Sequence, residues 1–442
     1  MIEWPTVKLG DVADFLTGFP FKSASYSDAG SDPRLLRGDN IAQGTLRWDN
    51  AKRWPLTLTD DVSSYRLERG DIVLAMDRPW IDAGLKYATV MPDDLPSFLV
   101  QRVARLRGTR HLRTRFLRYV IGSRAFTDYI LGVQTGTAVP HISGGQIKGY
   151  QFRLPPIPEQ EQIAEVLGSL DDKIELNRRM NQTLEGMAQA IFRDWFVDFG
   201  PTRRKIGGAT DPVEIMGGLV TDPDRARTLA DFFPAALSDN GLPEGWREKG
   251  LDEIAEFLNG LALQKYPAKD DTDSLPVIKI AELRNGVSAN TGRASRDVPS
   301  KYVVRDGDFL FSWSGSLLAK FWTEGEGALN QHLFKVSSDQ YPAWFFSLWV
   351  HHHMESFRHT AASKATTMGH IQRSHLRAAK TACPPDHVVS AMTATLGPIS
   401  EKAVQNSLEN RTLTATRDLL LPKLMSGELR LRDAEVELEA AQ

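Results

Sequence analysis

The sequence predicts an α+β chain built as a doubled half, in which a mixed α/β globular unit followed by a long helix occurs twice. Three observations predict it. The segment WPTVKLGDVADFLTG at Trp4 returns as WREKGLDEIAEFLNG at Trp246, an offset of 242. Pro140-His141-Ile142 and Pro155-Pro156 return as Gly369-His370-Ile371 and Pro384-Pro385, at an offset of 229. The segments after the two Pro-Pro pairs keep that second offset without a gap and carry apolar residues at alternating three- and four-residue spacing, the seam of a coiled coil.

The size of the chain fits this division. At 442 residues it exceeds a single ordinary core, and 41% apolar with 25% charged residues is the balance of a folded protein. The apolar runs, among the longest Tyr341 to Val350, fall short of the roughly 20 residues that span a bilayer, so no membrane segment is expected. Met1-Ile2-Glu3-Trp4-Pro5 has neither the basic nor the apolar part of a secretory leader. The lone Cys383 allows no intrachain disulfide, which suits a cytoplasmic location.

Taken in order, the first globular unit covers residues 1–157. Leu9, Ala13, Phe15, Leu16 and Gly18 recur in the second unit as Leu251, Ala255, Phe257, Leu258 and Gly260, and RGDIVLAM at Arg69 matches DGDFLFSW at Asp306. Short β-type runs such as Asp71 to Ala75 and Asp308 to Phe311 alternate with helical stretches. From Gln101 to Arg118 the chain carries seven arginines and no acid, a local positive field that the net charge of -3 conceals.

The first long helix is read over 158–199, with Ile163, Leu167, Leu170, Ile174, Leu184, Ala188, Ile191 and Trp195 on one stripe. The second, over 386–432, places Met392, Leu396, Ile399, Ala403, Leu413, Leu420 and Leu424 at the matched positions, with Arg417 as the polar exception. Both put asparagine at the same two seam positions, Asn177 and Asn181 against Asn406 and Asn410, where a buried amide fixes register at a cost in stability. Pro398 is expected to kink the second helix or to begin it afresh. Between the halves, residues 200–244 read as a Gly-, Pro- and Asp-rich linker. The second globular unit covers 245–385, and an acidic tail occupies 433–442.

Several chemical features attract a bland reading. His351-His352-His353 with His359 lacks nearby cysteines and is read as a surface helix, so no metal is expected. Ser312-Trp313-Ser314-Gly315-Ser316 lacks the nucleophile-elbow frame. Asp171 and Asp172 read as an outer helix face suited to docking. No phosphate-binding glycine loop and no Asn-Pro-Pro-aromatic or Asp-Pro-Pro-aromatic tetrapeptide occurs, so catalytic residues are expected on other chains.

With W-x-x-x-x-L-x-x-x-A-x-F-L-x-G at its start, LPPIPEQEQIAEVLGSLDDKIELNRRMNQTLEGMAQAIFRDWF from Leu154 and RDLLLPKLMSGEL from Arg417, the chain resembles the specificity subunits of type I restriction-modification systems. The junction TACPPDHVVSAMTATLGPISEK departs from the family's Pro-x-x-x-Q-x-x-I pattern. The resemblance implies two target-recognition domains, each reading half of a bipartite double-stranded DNA site, separated by two antiparallel helices in a coiled coil. It also implies docking of two methyltransferase subunits, later joined by restriction subunits. S-adenosylmethionine, ATP and Mg would then belong to those partners, with no cofactor in this chain. Trp195, Phe196 and Phe199 are read as an apolar edge for docking.

Base reading calls for Arg or Lys against guanine and Asn or Gln against adenine. In the first unit the candidates are Arg37, Arg78, Lys86, Gln134, Thr135, Thr137, His141 and Gln146, with Arg102 and Arg105 opening the basic segment for phosphates. In the second they are Lys279, Arg284, Arg293, Ser314, Ser316, Lys320, Lys364, Thr366, Thr367 and Gln372. Two readings of other classes stay open: a self-sufficient methyltransferase or nuclease, and a protein-binding scaffold with duplicated heads.

Overall fold

The computed structural model describes residues 4–81, 84–136, 139–270, 273–363 and 370–429. Thr137, Lys364, Thr366, Thr367 and the acidic tail lie outside them. The chain divides into two compact units, Met1–Asp172 with Leu413–Gln442, and Lys173–Thr412.

The duplication seen in the sequence is present in the sheet topology. In the first unit Asp14–Thr17, Val103–Arg107, Ile72–Ala75 and Tyr87–Thr89 form an antiparallel sheet in that spatial order. In the second, Glu256–Asn259, Leu333–Ser337, Phe309–Ser312 and Ala319–Phe321 repeat the order and the directions. The central strands Ile72–Ala75 and Phe309–Ser312 are buried throughout, as aliphatic and aromatic runs covered on both faces must be.

A parallel pair accompanies each sheet, Arg34–Leu36 with Ser97–Leu99 and Val277-Ile278 with Ala328-Leu329. A ribbon of the first and last strands closes each head, Thr6–Lys8 with Gln151–Arg153 and Arg247–Gly250 with Lys380–Cys383. The glycine ending each Phe-Leu-x-Gly is required by close approach. A Cβ on Gly18 would stand 2.1 Å from the Val100 carbonyl oxygen, and one on Gly260 would stand 2.3 Å from that of Asn330.

The first long helix runs from Ile157 to Phe192 and passes into a π turn at Arg193–Val197. The second runs from Asp386 to Ser426. Both begin beside their Pro-Pro pair, where a missing N–H costs nothing. Within the second unit the helices pair antiparallel through the four asparagines. Asn177 Nδ2 donates to Asn410 Oδ1 at 3.0 Å, and Asn406 Nδ2 to Asn181 Oδ1 at 2.9 Å. Asn181 also donates to the Ala403 carbonyl at 3.0 Å, and Asn410 to that of Ile174 at 3.3 Å. The offset of 229 carries each of these bonds onto its counterpart, so this stretch of the seam has local two-fold symmetry. A one-turn slip would strand all four buried or half-buried amides, which is how polar seam positions set register.

Three expectations are corrected here. The second helix runs through Pro398 without a break. The carbonyl of Ala394, which loses its i+4 partner there, instead accepts Arg225 Nη2 at 3.1 Å, and Thr395 Oγ1 accepts the same nitrogen at 3.0 Å. The segment 200–244 is a folded helical part of the second unit, not a plain linker. Its helices Gly200–Ile206, Pro212–Ile215 and Pro223–Ala230, with the turns after them, send Met216, Ala226 and Phe233 into the core. Trp195 and Phe196, expected at a docking edge, are fully buried in that same core, and Phe199 packs at its margin.

The polar exception in the seam also has a cause. Arg417 Nη1 donates to Asp171 Oδ1 at 2.9 Å, while Asp171 Oδ2 takes Arg118 at 2.8 Å and the Tyr119 hydroxyl at 2.9 Å. Asp171 is thus an internal anchor of the first unit, not the outward-facing docking group expected from the sequence. Asp172 beside it is exposed.

Candidate nucleic-acid interface

In the first unit the chain leaving the strand Ile72–Ala75 is held against residues 140–142. Ile142 N–H donates to the Met76 carbonyl at 2.9 Å and Arg78 N–H to that of Pro140 at 2.7 Å. His141 is therefore brought to Asp77, its Nδ1 lying 2.6 Å from Oδ1, and the Arg102 guanidinium lies 3.3 Å from its Nε2. Arg78 and Arg102 are exposed, and Thr135 pairs through its backbone with His141. Burial holds the Lys86 ammonium below its usual range, with Asp39 opposing the shift and Arg78 adding to it. Arg37 reaches the same neighbourhood through Asp39, 3.9 Å away. The structure thus brings together Arg37, Arg78, Lys86, Arg102, Thr135 and His141. Gln134 caps the helix Arg124–Val133 just before Thr135.

Two candidates of this unit are committed elsewhere. Arg105 is buried and bonded to Asp14 at 2.6 Å. The Gln146 amide donates to the Val133 carbonyl and accepts from Ser143 in a capping box. Much of the basic segment is likewise internally neutralised: Arg107 pairs with Asp71 and Glu68, Arg113 with Glu161 and Arg118 with Asp171. It forms a strand and the start of a helix.

The second unit builds the matched loop from different chemistry. Ile371 N–H donates to the Trp313 carbonyl at 2.8 Å, and Ser314 bridges to His370 as Asp77 does to His141. Ser314 is buried, its hydroxyl 3.1 Å from His332 Nδ1, so it positions that ring and is not itself accessible. Trp313 stands 5.4 Å from the His370 ring and donates to Asn259 Oδ1 at 2.9 Å. Arg284, Gly315, Ser316 and Arg358 share a shallow hollow beside this loop. Lys279 and Gln372 are exposed, each preceding a short helix.

Arg293 donates to both the hydroxyl and the carbonyl of Ser274. Lys320 lies apart from the loop, lining a cavity of about 350 Å³ with Asn181, Glu185 and Ser407. The sequence reading missed Trp313, His332, Asn259 and Arg358. His332 was within reach, because it follows Gln331 as Arg102 follows Gln101.

The histidine tract lies on a helix that keeps His352 and His359 exposed, as expected, while His351 and His353 are packed against its neighbours. His351 meets the Phe309 ring at 5.7 Å, and burial, then the charge of Arg358, pushes it down to about 4. His353, 2.9 Å from the Lys380 carbonyl, is pushed down to about 4 by burial and then by His352. Both therefore bind protons more readily unfolded, at about 6.5, than folded. The stability they support is complete above that value and is lost as pH falls toward 4. Thermal melts between about pH 7 and pH 4.5 should show a falling midpoint, shallower in the pair His351→Leu, His353→Gln; an unchanged slope would contradict this account.

A duplicated sheet with a loop gripped by a histidine strand, set twice on paired helices, defines a two-headed recognition protein. The family model for the type I restriction modification DNA specificity domain matches residues 1–186 and 243–389. The HindI specificity subunit of Haemophilus influenzae is 26% identical over 405 residues, covering 82% of this chain and 87% of that one. The EcoAI specificity subunit of Escherichia coli is 34% identical over 187 residues, 42% of this chain and 31% of that one. The crystal structure of a type I restriction-modification S subunit from M. genitalium shares the fold, with a TM-score of 0.53, 13% identity and 96% of each chain covered. The chain belongs to the type I restriction-modification DNA specificity family, whose specificity subunits are non-catalytic recognition components.

Proposed function

We propose that each head reads one half of a split, asymmetric double-stranded DNA site through the loop after its central strand, residues 76–78 in one and 313–316 in the other. The observation carrying this reading is that the same backbone grip, Met76 to Ile142 and Trp313 to Ile371, presents an arginine-rich surface in the first head and a Trp-His surface in the second. Equivalent scaffolds with unlike side chains suit unlike half-sites.

The helices, at 36 and 41 residues and about 1.5 Å per residue, are long enough to make half-site spacing a property of helix length. Two methyltransferase subunits would dock on them and restriction subunits would join, bringing S-adenosylmethionine, ATP and Mg. The cytoplasm is the proposed location, where the buried thiol of Cys383 stays reduced. Residues 1–157 and 245–385 serve as the two target-recognition domains.

Co-expression with the methyltransferase partner and genome-wide mapping of modified adenines should give one split, asymmetric motif, and duplex binding should weaken steeply with salt. Scattered or absent methylation would overturn the reading.

A further inference from the structure

The two heads differ at one backbone position in a way that folding does not explain. Offsets of 237 at the central strands, Ile72 against Phe309, and 232 at the next ones, Tyr87 against Ala319, bracket the reading loops. The Met76–Ile142 and Trp313–Ile371 bonds then fix Arg78 as the counterpart of Gly315. Both residues are left-handed, with φ of 45° and 61°. Glycine adopts that conformation freely, whereas a side chain with a Cβ is strained in it.

The second head uses the residue the turn prefers, and the first carries the cost of an arginine. That arginine does not repay the cost inside the fold. It is exposed, and no ion pair of its side chain is found among the described residues. Strain kept at an exposed, unpaired cation in a recognition loop points to a ligand outside the chain. The planar guanidinium fork matches O6 and N7 of guanine in the major groove in one rigid geometry, which the flexible, point-like lysine ammonium holds less well.

We infer that Arg78 is a specificity-determining residue that reads a guanine in the half-site of the first head, and that the second head makes no side-chain base contact at the equivalent Gly315. The inference rests on the DNA-reading function proposed above. It predicts that Arg78→Gly removes a base contact without harming the fold, because it installs the twin head's own residue.

The test uses the complex of full-length chain and methyltransferase partner. Wild type first yields the split motif by methylation mapping; if it does not, the functional reading fails, whatever Arg78 does. Given that motif, Arg78→Gly should relax it at one guanine of one half-site, Arg78→Lys should relax it less, and both should leave the other half unchanged and keep the melting midpoint of wild type or better. On synthetic duplexes, 7-deazaguanine at that position should weaken wild-type binding about 10-fold and leave Arg78→Gly indifferent. An unchanged motif in Arg78→Gly, a loss equal on all duplexes, or a half-site without guanine would overturn the inference.

Discussion

Asp171→Ala is expected to destabilise the protein by about 3–5 kcal/mol, the usual cost of removing one partner from a buried charge network. The carboxylate is 9% exposed and engages three groups at once, Arg118, Arg417 and the Tyr119 hydroxyl. Alanine would leave the Arg417 guanidinium half-sheltered in an otherwise apolar seam, with Asp418 as its remaining carboxylate. It would also orphan the Tyr119 hydroxyl, whose ionisation is already pushed up by burial first and then by the charge of Asp171.

A double substitution separates the charge from the packing. Asp171→Leu with Arg417→Met removes the isolated cation together with its anion, and should recover much of the loss. Denaturant melts of the single and double variants measure this. A single variant within 1 kcal/mol of wild type, on the order of an exposed pair, would show that the anchor contributes no more than a surface ion pair.

Arg417 illustrates what the sequence could and could not disclose. Its place in the seam was legible because the apolar stripe around it repeats at one offset in both halves. The four asparagines were legible for the same reason, and so was the doubling of the globular unit, though not its strand order. Periodicity and internal repetition are local properties, and they survive in one dimension. Partner choice is not local. Asp171 reads as an outer face until Arg118, Arg417 and Tyr119 arrive from other elements.

The same gap explains the misread segment 200–244. Its buried residues, Ile215, Met216, Val220, Ala226, Leu229, Ala230 and Phe233, sit on helices of four to eight residues and on the turns that follow them. Such short turns carry too little periodicity to announce a buried face. Matching His141 to His370 located the paired loops after the two central strands. Which side chains stay free was decided partly by contacts far along the chain: Ser314 turns inward to His332 and Arg105 meets Asp14 across the sheet, whereas Gln146 is taken locally by the cap of its own helix.

Trp195→Ala separates a docking edge from a core residue. Trp195 has no exposed surface, stands 6.0 Å from the Phe233 ring, and follows Phe192 and Ile191 into the largest cluster of the second unit. Phe196 beside it meets Trp246, Trp344 and Phe345 at 5.7 Å each. Truncating a fully enclosed indole removes its transfer free energy and leaves a cavity, about 3–5 kcal/mol together. The indole N–H has no acceptor among the described residues, so no hydrogen bond is lost to enlarge that figure.

The expected result is a chain that melts well below wild type on its own, before any partner is added. At temperatures where the variant remains folded, its affinity for the methyltransferase subunit should match wild type. A docking residue would give the opposite pattern, an unchanged melt with weakened assembly, and that outcome would return Trp195 to the interface. The first long helix thus does more than pair with the second: its C-terminal turn, folded through Trp195 and Phe196 into the next head, ties the rod to the unit it precedes.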